Sequence, residues 1–359
     1  MSLTSSITPG MVENSCSTPS ILIAVIAAPR QVSRQRSLTS GRSLKIDAQR
    51  RERPVIIGIV GDSGAGKTTF AAGLVDVLGR SRTLAICIDD YHRYSRKERA
   101  INGLTPHDPA CNYLDILEQH IDLLRAGEPI LKPVYNHVGG VLERPEYVTP
   151  RPFIILEGLH GYATPRLREH YDLKFYLEPQ EQLRLRWKFQ RDTGPGGFGY
   201  TVEQAMALLP KLNRDSALYV APQRDYADMV VSFYAPDDRP QESGALLNVR
   251  HILRPTLPYV DLTPLLEAGA DNGLELELAR DIDGRPADAL HIYGRMSDRR
   301  AEKLQECVRR LLPGRQTERS RLGGFRDANN ALQHSHSLAL SQLLITHYLL
   351  NAAVGAHAT

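Results

Sequence analysis

The sequence predicts an α/β protein in which a largely parallel sheet carries helices on both faces, with a small β-hairpin and helix as a C-terminal extension. Three observations predict it. A β-branched apolar run, Val55-Ile56-Ile57-Gly58-Ile59-Val60, leads directly into Gly61-Asp62-Ser63-Gly64-Ala65-Gly66-Lys67-Thr68. Short apolar runs at Leu84–Asp89, Pro152–Gly158 and Leu173–Leu177 alternate with segments of helical spacing, the rhythm of buried parallel strands and their crossover helices. From about Leu246 the rhythm shifts to closely spaced strands around an Asp283-Gly284 turn, a hairpin signal.

Residues 1–53 are rich in Ser, Thr and Arg, with Glu13, Asp47 and Glu52 as their only acids. We prefer to read them as an unstructured extension or a start placed too far upstream, with an organelle transit peptide as the alternative. The apolar run Ile21–Ala28 is too short to cross a bilayer. Lys+Arg total 44 against 41 Asp+Glu, a formal net charge of +3 without a basic block, so neither nucleic acid nor a membrane is expected as a partner. Cys16, Cys87, Cys111 and Cys307 lack paired spacing and read as reduced thiols of a cytoplasmic protein, or of an organelle stroma if residues 1–53 are a transit peptide.

The run at 61–68 fits G-x-x-x-x-G-K-[ST], and the apolar strand before it and the helix-period segment 69–78 after it supply the setting that pattern needs. Strand, glycine loop and helix together wrap backbone N–H groups around phosphate oxygens, as in P-loop NTPase-type folds. Gly61, Asp62, Ser63, Gly64, Ala65, Gly66, Lys67, Thr68 and Thr69 are therefore expected to hold the phosphates of ATP. Lys67 is expected to reach the β- and γ-phosphates and Thr68 to bind Mg2+.

After the strand ending at Asp89, a turn-rich stretch runs from Tyr91 to Asn112, and Tyr113–Leu124 has helical spacing. Asp89 or Asp90 can project into the crevice at the strand's carboxyl end as a base, and because adjacent strand residues point to opposite faces only one of them is expected to face the acceptor. Glu157 ends another strand and can hold the metal directly or through water. In the helix-like segment Gln180–Thr193, Arg184, Lys188 and Arg191 share a face, which is either solvated or part of a lid continuing into Gly194–Gly199. His92, Arg93 and Arg96 form one polar cluster and Lys132, Tyr135, Asn136 and His137 another, suited to an anionic acceptor. Further on, Val249–Leu253 and Leu274–Arg280 read as strands, the second pairing with Leu290–Tyr293. Residues 315–335 read as a loop, and Leu338–Leu350 as an apolar helix in the core or at a subunit contact. The expected organisation is an extension over 1–53, a kinase domain over 54–240 and a C-terminal extension over 241–359.

GDSGAGKTTF (61–70), CIDDYH (87–92), KPVYNH (132–137), ILEGLH (155–160), WKFQRD (187–192) and YVAPQRDYAD (219–228) resemble, in order, the phosphoribulokinase branch of the phosphoribulokinase/uridine kinase family. The resemblance covers roughly residues 54–232. It implies ATP-dependent phosphorylation of the 1-hydroxyl of D-ribulose 5-phosphate, a Calvin-cycle step, with Mg2+. It implies Asp89 as base, with Lys67, Arg191 and Asp192 also catalytic, and Glu157 with Thr68 at the metal. His92, Arg96, Tyr135, His137 and Lys188 are implied as sugar-phosphate contacts, and a homodimer is compatible. The alternatives are a kinase for uridine or another small hydroxyl acceptor, and a nucleotide-binding regulatory protein on a decayed site. Two departures stand out. Gly196 occupies the place of a usual lid arginine, so weak affinity for the acceptor is expected. Ala65 occupies the place of the phosphate-loop cysteine of thioredoxin-regulated members, although that cysteine's usual partner is retained as Cys87.

Overall fold

The computed structural model describes residues 53–269, 273–312, 322–327 and 329–355, so the reading of residues 1–52 lies outside the described residues. The first half of the chain runs β1 (Val55–Gly61), α1 (Lys67–Leu78), β2 (Thr83–Cys87), α2 (Arg96–Ile101) and α3 (Leu114–Arg125). A two-stranded hairpin, β3 (Ile130–Asn136) and β4 (Val141–Val148), follows, then β5 (Phe153–Gly158), α4 (Pro165–Glu169) and β6 (Leu173–Leu177). Next come α5 (Glu181–Thr193), α6 (Val202–Asp215), β7 (Met229–Tyr234) and β8 (Asn248–Leu253). The chain continues through α7 (Thr263–Gly269), β9 (Leu274–Arg280), β10 (Pro286–Ile292) and α8 (Asp298–Leu311), and ends with β11 (Gly324–Arg326), β12 (Leu332–His334) and α9 (His336–Gly355).

Eight strands form one sheet in the order β2-β5-β1-β6-β7-β8-β10-β9. The first five are parallel and the last three join antiparallel. β1 and β5 sit inside the sheet and every residue of both is buried. That two-sided burial is why their sequences are continuous apolar runs and do not alternate. Because β1, β2, β5 and β6 run parallel, Gly61, Cys87, Gly158 and Leu177 all end at one edge, where ligands of open α/β sheets bind.

α9 is buried along its sides by Leu340, Leu343, Leu344, Ile345 and Leu349, which settles it as a core helix. Ser337, Ser341 and Gln342 of this helix are buried too, and each has a partner. Ser337 Oγ donates to the Leu247 carbonyl at 2.5 Å, Ser341 pairs with His251 Nε2 at 2.5 Å, and Gln342 Oε1 accepts from Gly323 N at 2.9 Å. α9 lies so close to α1 that a Cβ at Gly73 would stand 2.1 Å from the Gln342 amide. Among the described residues no helix is long and apolar enough to cross a membrane.

Three readings are corrected. Asp89 and Asp90 lie beyond the strand, on a 3-10 turn over Ile88–Tyr91, so strand alternation does not separate them. The stretch 91–112 contains α2, whose N-terminus is closed by a reciprocal Ser95–Glu98 capping box, a signal present in the sequence as S-x-x-E. Within 315–335, β11 and β12 pair as a short hairpin. The β3–β4 hairpin was legible only as the polar cluster at 132–137. Seven of the eight β4 residues are exposed, so no buried face marked it as a strand.

Candidate active site

At the carboxyl edge of the parallel strands the turn Gly61–Gly66 opens a cleft of ≈ 1390 Å³. Lys67 Nζ donates to the carbonyls of Gly61 (2.9 Å) and Asp62 (3.0 Å), folding over the cradle that its loop makes. Thr68 Oγ1 donates to Glu157 Oε1 at 2.9 Å, so β5 brings its terminal carboxylate to the first turn of α1. Burial, reinforced by Asp89 and Asp90 against the pull of Lys67 and Thr68, raises the Glu157 carboxyl to about 7. A buried carboxylate beside a hydroxyl and a phosphate cradle fits Mg2+, a hard cation that takes oxygen ligands and substrate phosphates.

Asp62 faces away from the cradle. Its carboxylate accepts from His107 Nε2 (2.8 Å) and Ser216 Oγ (2.7 Å) and lies 3.3 Å from Arg184. Burial works against its ionisation, but His107, Arg184 and Ser216 hold the carboxyl well below the usual range. Asp62 thus fastens the loop to the turn that follows α6 and to the 105–107 segment. His107 and Ser216 carry no sequence signal that would have found them.

The charged face of α5 turns to the loop and is not solvated. Arg184 donates to the Ser63 carbonyl (2.9 Å) and bidentately to Glu181. Lys188 Nζ pairs with Asp192 at 2.5 Å, and Arg191 reaches both Ser63 Oγ (2.9 Å) and Asp192 (2.7 Å). Asp192, itself buried, therefore sets two cations beside the cradle.

On the acceptor side, Asp89 accepts from the Leu159 N–H at 3.0 Å. Burial alone would raise its carboxyl, yet Lys67, His92, the Leu159 amide and His137 outweigh that and lower it. Asp90 is committed elsewhere, to Lys132 at 2.5 Å and the Tyr135 amide at 3.3 Å. His92 Nδ1 lies 2.7 Å from Asn112 Oδ1, and the Asn112 amide nitrogen donates to the carbonyls of Pro106 and Asp108. Those donations fix Oδ1 as an acceptor, so the His92 proton sits on Nδ1 and Nε2 is left as an acceptor. Burial, with Arg99 nearby, lowers His92 to about 3, and burial likewise lowers His137. Both rings are neutral at physiological pH, so the positive charge on this side belongs to arginines.

Arg96 donates to the carbonyls of Phe198 (3.0 Å) and His137 (2.6 Å) and lies over the Tyr200 ring at 4.2 Å. It clasps α2 to the hairpin turn and to the glycine-rich segment after α5. Phe198 from that segment stacks on His137 at 5.2 Å, and Arg191 lies over the Phe198 ring at 4.4 Å. Arg99, one turn beyond Arg96, also lines the cleft, above the Tyr135 ring at 5.1 Å. It was missed by sequence reasoning, and the i, i+3 spacing after the capping box was the signal. A second group of lining residues lies beside Gly66: Trp187, whose Nε1 donates to the Ser243 carbonyl at 2.9 Å, with Gly244, Phe325 and Arg326.

Residues 56–238 match the family model described as Phosphoribulokinase / Uridine kinase family. The chain is 36% identical over 219 residues to a phosphoribulokinase of Synechocystis, an alignment covering 61% of this chain and 65% of that protein. It therefore spans less than two thirds of that relative's length. It is 30% identical over 184 residues to a uridine kinase of Chloroflexus aurantiacus, covering 49% of this chain and 86% of that one. The structure superposes on the phosphoribulokinase from Rhodobacter spheroides with a TM-score of 0.53 at 16% identity, covering 84% of this chain and all of that one, a likeness of fold.

Proposed function

The chain belongs to the phosphoribulokinase/uridine kinase family, and we propose that it transfers the γ-phosphoryl group of ATP to the 1-hydroxyl of D-ribulose 5-phosphate. The observation that carries this reading is the position of Asp89, held by the Leu159 N–H at 3.0 Å and lining one cleft with Lys67 of the phosphate loop and with Arg96 and Arg99. An arm with two guanidinium groups suits an acceptor that is itself a phosphate ester, since guanidinium pairs bidentately with phosphate. An uncharged nucleoside would leave them without a counter-charge.

The residues divide the work. Lys67 swings from the Gly61 and Asp62 carbonyls onto the β- and γ-phosphates, which the backbone N–H groups of 63–69 also bind. Thr68 and Glu157 hold Mg2+, whose charge offsets that of the phosphates. Asp89 takes the proton from the attacking hydroxyl, its orientation fixed by the Leu159 amide. Nε2 of His92 accepts from a neighbouring sugar hydroxyl, while Arg96 and Arg99 bind the distal phosphate. Lys188 and Arg191, set in place by Asp192, neutralise the charge that shifts during transfer. Phe198, over His137, covers the acceptor arm from water. The nucleoside lies in the other arm, beside Trp187 and Phe325.

The test is ADP release with ribulose 5-phosphate, ribose 5-phosphate and uridine side by side. A kcat/KM for ribulose 5-phosphate well above both others is expected. Preference for uridine would move the chain to the other branch of the family. No turnover with any acceptor, with ATP still bound, would support a regulatory protein.

A further inference from the structure

Cys87, Asp90 and His137 come from three separate places in the chain: the end of β2, the 3-10 turn after it, and the start of the β3–β4 hairpin turn. Their Sγ, carboxylate oxygen and ring nitrogen nonetheless lie within 4.8 Å of one another. We propose that these three side chains form a site for a thiophilic divalent cation of the zinc class, and that its occupancy closes the acceptor arm. The part of this proposal that concerns inhibition rests on the kinase reading above; the binding site itself does not.

The donor set argues for the metal class. One sulfur, one imidazole nitrogen and one carboxylate oxygen are the three ligand types zinc uses, and three protein ligands with an open fourth position are the pattern of accessible zinc sites. Thiolate and imidazole donors select zinc-like ions over Mg2+, which takes oxygen ligands only. The Thr68–Glu157 pair offers oxygens alone, so the two positions prefer different ions. Adjacent ligand atoms of a tetrahedral zinc site are about 3.3–3.8 Å apart, from bond lengths near 2.0–2.3 Å. The three atoms here all lie within 4.8 Å of one another, so contraction onto a cation asks each to move by at most about an ångström.

The surroundings hold the donors in place. Asp90 Oδ2 is fixed by Lys132 at 2.5 Å, while Oδ1 has only a long 3.3 Å contact from the Tyr135 amide and is the oxygen left to coordinate. The His137 ring is packed by Tyr135 at 5.0 Å and by stacked Phe198 at 5.2 Å, and Arg96 ties down the His137 carbonyl at 2.6 Å. Asp89 lines the same wall and Glu157 pairs with Cys87 in the sheet register, so the local field favours a cation. All three ligands are half-buried, within reach from the cleft. On binding, the cation displaces the thiol proton of Cys87 to solvent and forms the metal–thiolate bond, with no change of oxidation state. A cation held there occupies the space beside Asp89 that an acceptor hydroxyl has to enter.

The experiment titrates the full chain with Co2+ as a spectroscopic substitute and with Zn2+ in a competing chelator. A near-ultraviolet thiolate-to-cobalt band at one equivalent is expected. Cys87→Ser, nearly isosteric, should abolish the band and weaken Zn2+ binding about 100-fold or more, and His137→Asn should weaken it comparably. Cys307→Ser should keep both, since that thiol lies on α8, outside the cleft. Circular dichroism melts of each variant confirm that it is folded. A band that survives Cys87→Ser, or its absence from the parent, overturns the site. In the ADP-release assay Zn2+ should inhibit competitively with the sugar phosphate and not with ATP, reversed by chelator and not by excess Mg2+. Binding with inhibition competitive against ATP overturns the placement in the acceptor arm. Because the cobalt band needs no turnover, failure of the metal site and failure of the kinase reading are read separately.

Discussion

At the scale of single residues, two carboxylates that both feel the charge of Lys67 are driven in opposite directions. Asp89 is lowered because Lys67, His92, the Leu159 amide and His137 together exceed the effect of burial. Glu157 is raised to about 7 because burial, Asp89 and Asp90 together exceed the effects of Lys67 and Thr68. The first favours its anion and suits a base. Asp89→Asn removes the proton acceptor while keeping the Leu159 contact, so kcat should fall ~10²–10⁴-fold with nucleotide affinity nearly unchanged. Turnover near that of the parent would move the base elsewhere. The second is an anion waiting for a cation. A carboxyl raised in the folded state binds a proton that the unfolded chain releases, so its contribution to stability falls as pH rises from about 4.5 to 7. Mg2+ needs the ionised form, so the same rise strengthens metal binding. The concentration of Mg2+ giving half activation should drop about tenfold between pH ~6 and ~8, and a Glu157→Gln variant should lose that dependence. A flat profile in the parent would remove Glu157 from the metal.

At the scale of elements, the sequence was most informative where the core dictates the pattern. β1, β5 and β6 are apolar runs because both faces are buried, and α9 reads as a core helix because leucines dominate it and its polar side chains are spaced among them. The phosphate loop was legible because its backbone needs glycine and lysine at set places. Less legible were elements whose stability comes from outside themselves. The β4 strand has no buried face, and the 3-10 turn carrying Asp89 owes its shape to contacts with β5. His107 and Ser216 reach Asp62 only through tertiary folding. The lid is a mixed case. Its glycines were visible, but not its closure onto α5, where Phe198 N donates to the Arg191 carbonyl and Tyr200 N to the Asp192 carbonyl, both at 3.0 Å. Gly196 has φ +73° and nothing within 4 Å of where its Cβ would stand. An arginine there finds open space but a left-handed backbone, a strain of about 1–2 kcal/mol. A charged hydrogen bond to phosphate is worth ~1.5–3 kcal/mol. Gly196→Arg should therefore lower the KM for the sugar phosphate up to about tenfold while lowering thermal stability slightly, read by steady-state kinetics and a melting curve. An unchanged KM would show that the arginine side chain does not reach the acceptor.

At the scale of the whole molecule, the cleft is assembled from both ends of the described chain. The part that matches the family supplies the loop, Asp89, Glu157 and the α5 cations, and ends at residue 238. The wall beyond Gly66 is completed by Ser243, Gly244 and the β11–β12 hairpin, held in place because Gln342 of α9 binds Gly323 N ahead of β11 and lies against Gly73 of α1. Packing of α9 on α1 thus couples the C-terminal hairpin to the helix that begins at the phosphate loop. On the proposed function Asp89, His92 and two arginines take up the acceptor arm, which leaves the aromatic arm of Trp187 and Phe325 to a purine. Stacking of a base on an aromatic side chain is worth ~1–3 kcal/mol by alanine substitution. Phe325→Ala should raise the KM for ATP about tenfold or more and leave the KM for the sugar phosphate alone. Trp187 is the single tryptophan of the chain, so its fluorescence reports occupancy directly. ATP should quench it in the parent and, at higher concentration, in Phe325→Ala, whereas inorganic triphosphate, which fills the loop and not the arm, should not. If Phe325→Ala binds ATP as tightly as the parent, or if triphosphate quenches as ATP does, the base lies elsewhere and the hairpin is a structural cover with no part in recognising the nucleotide.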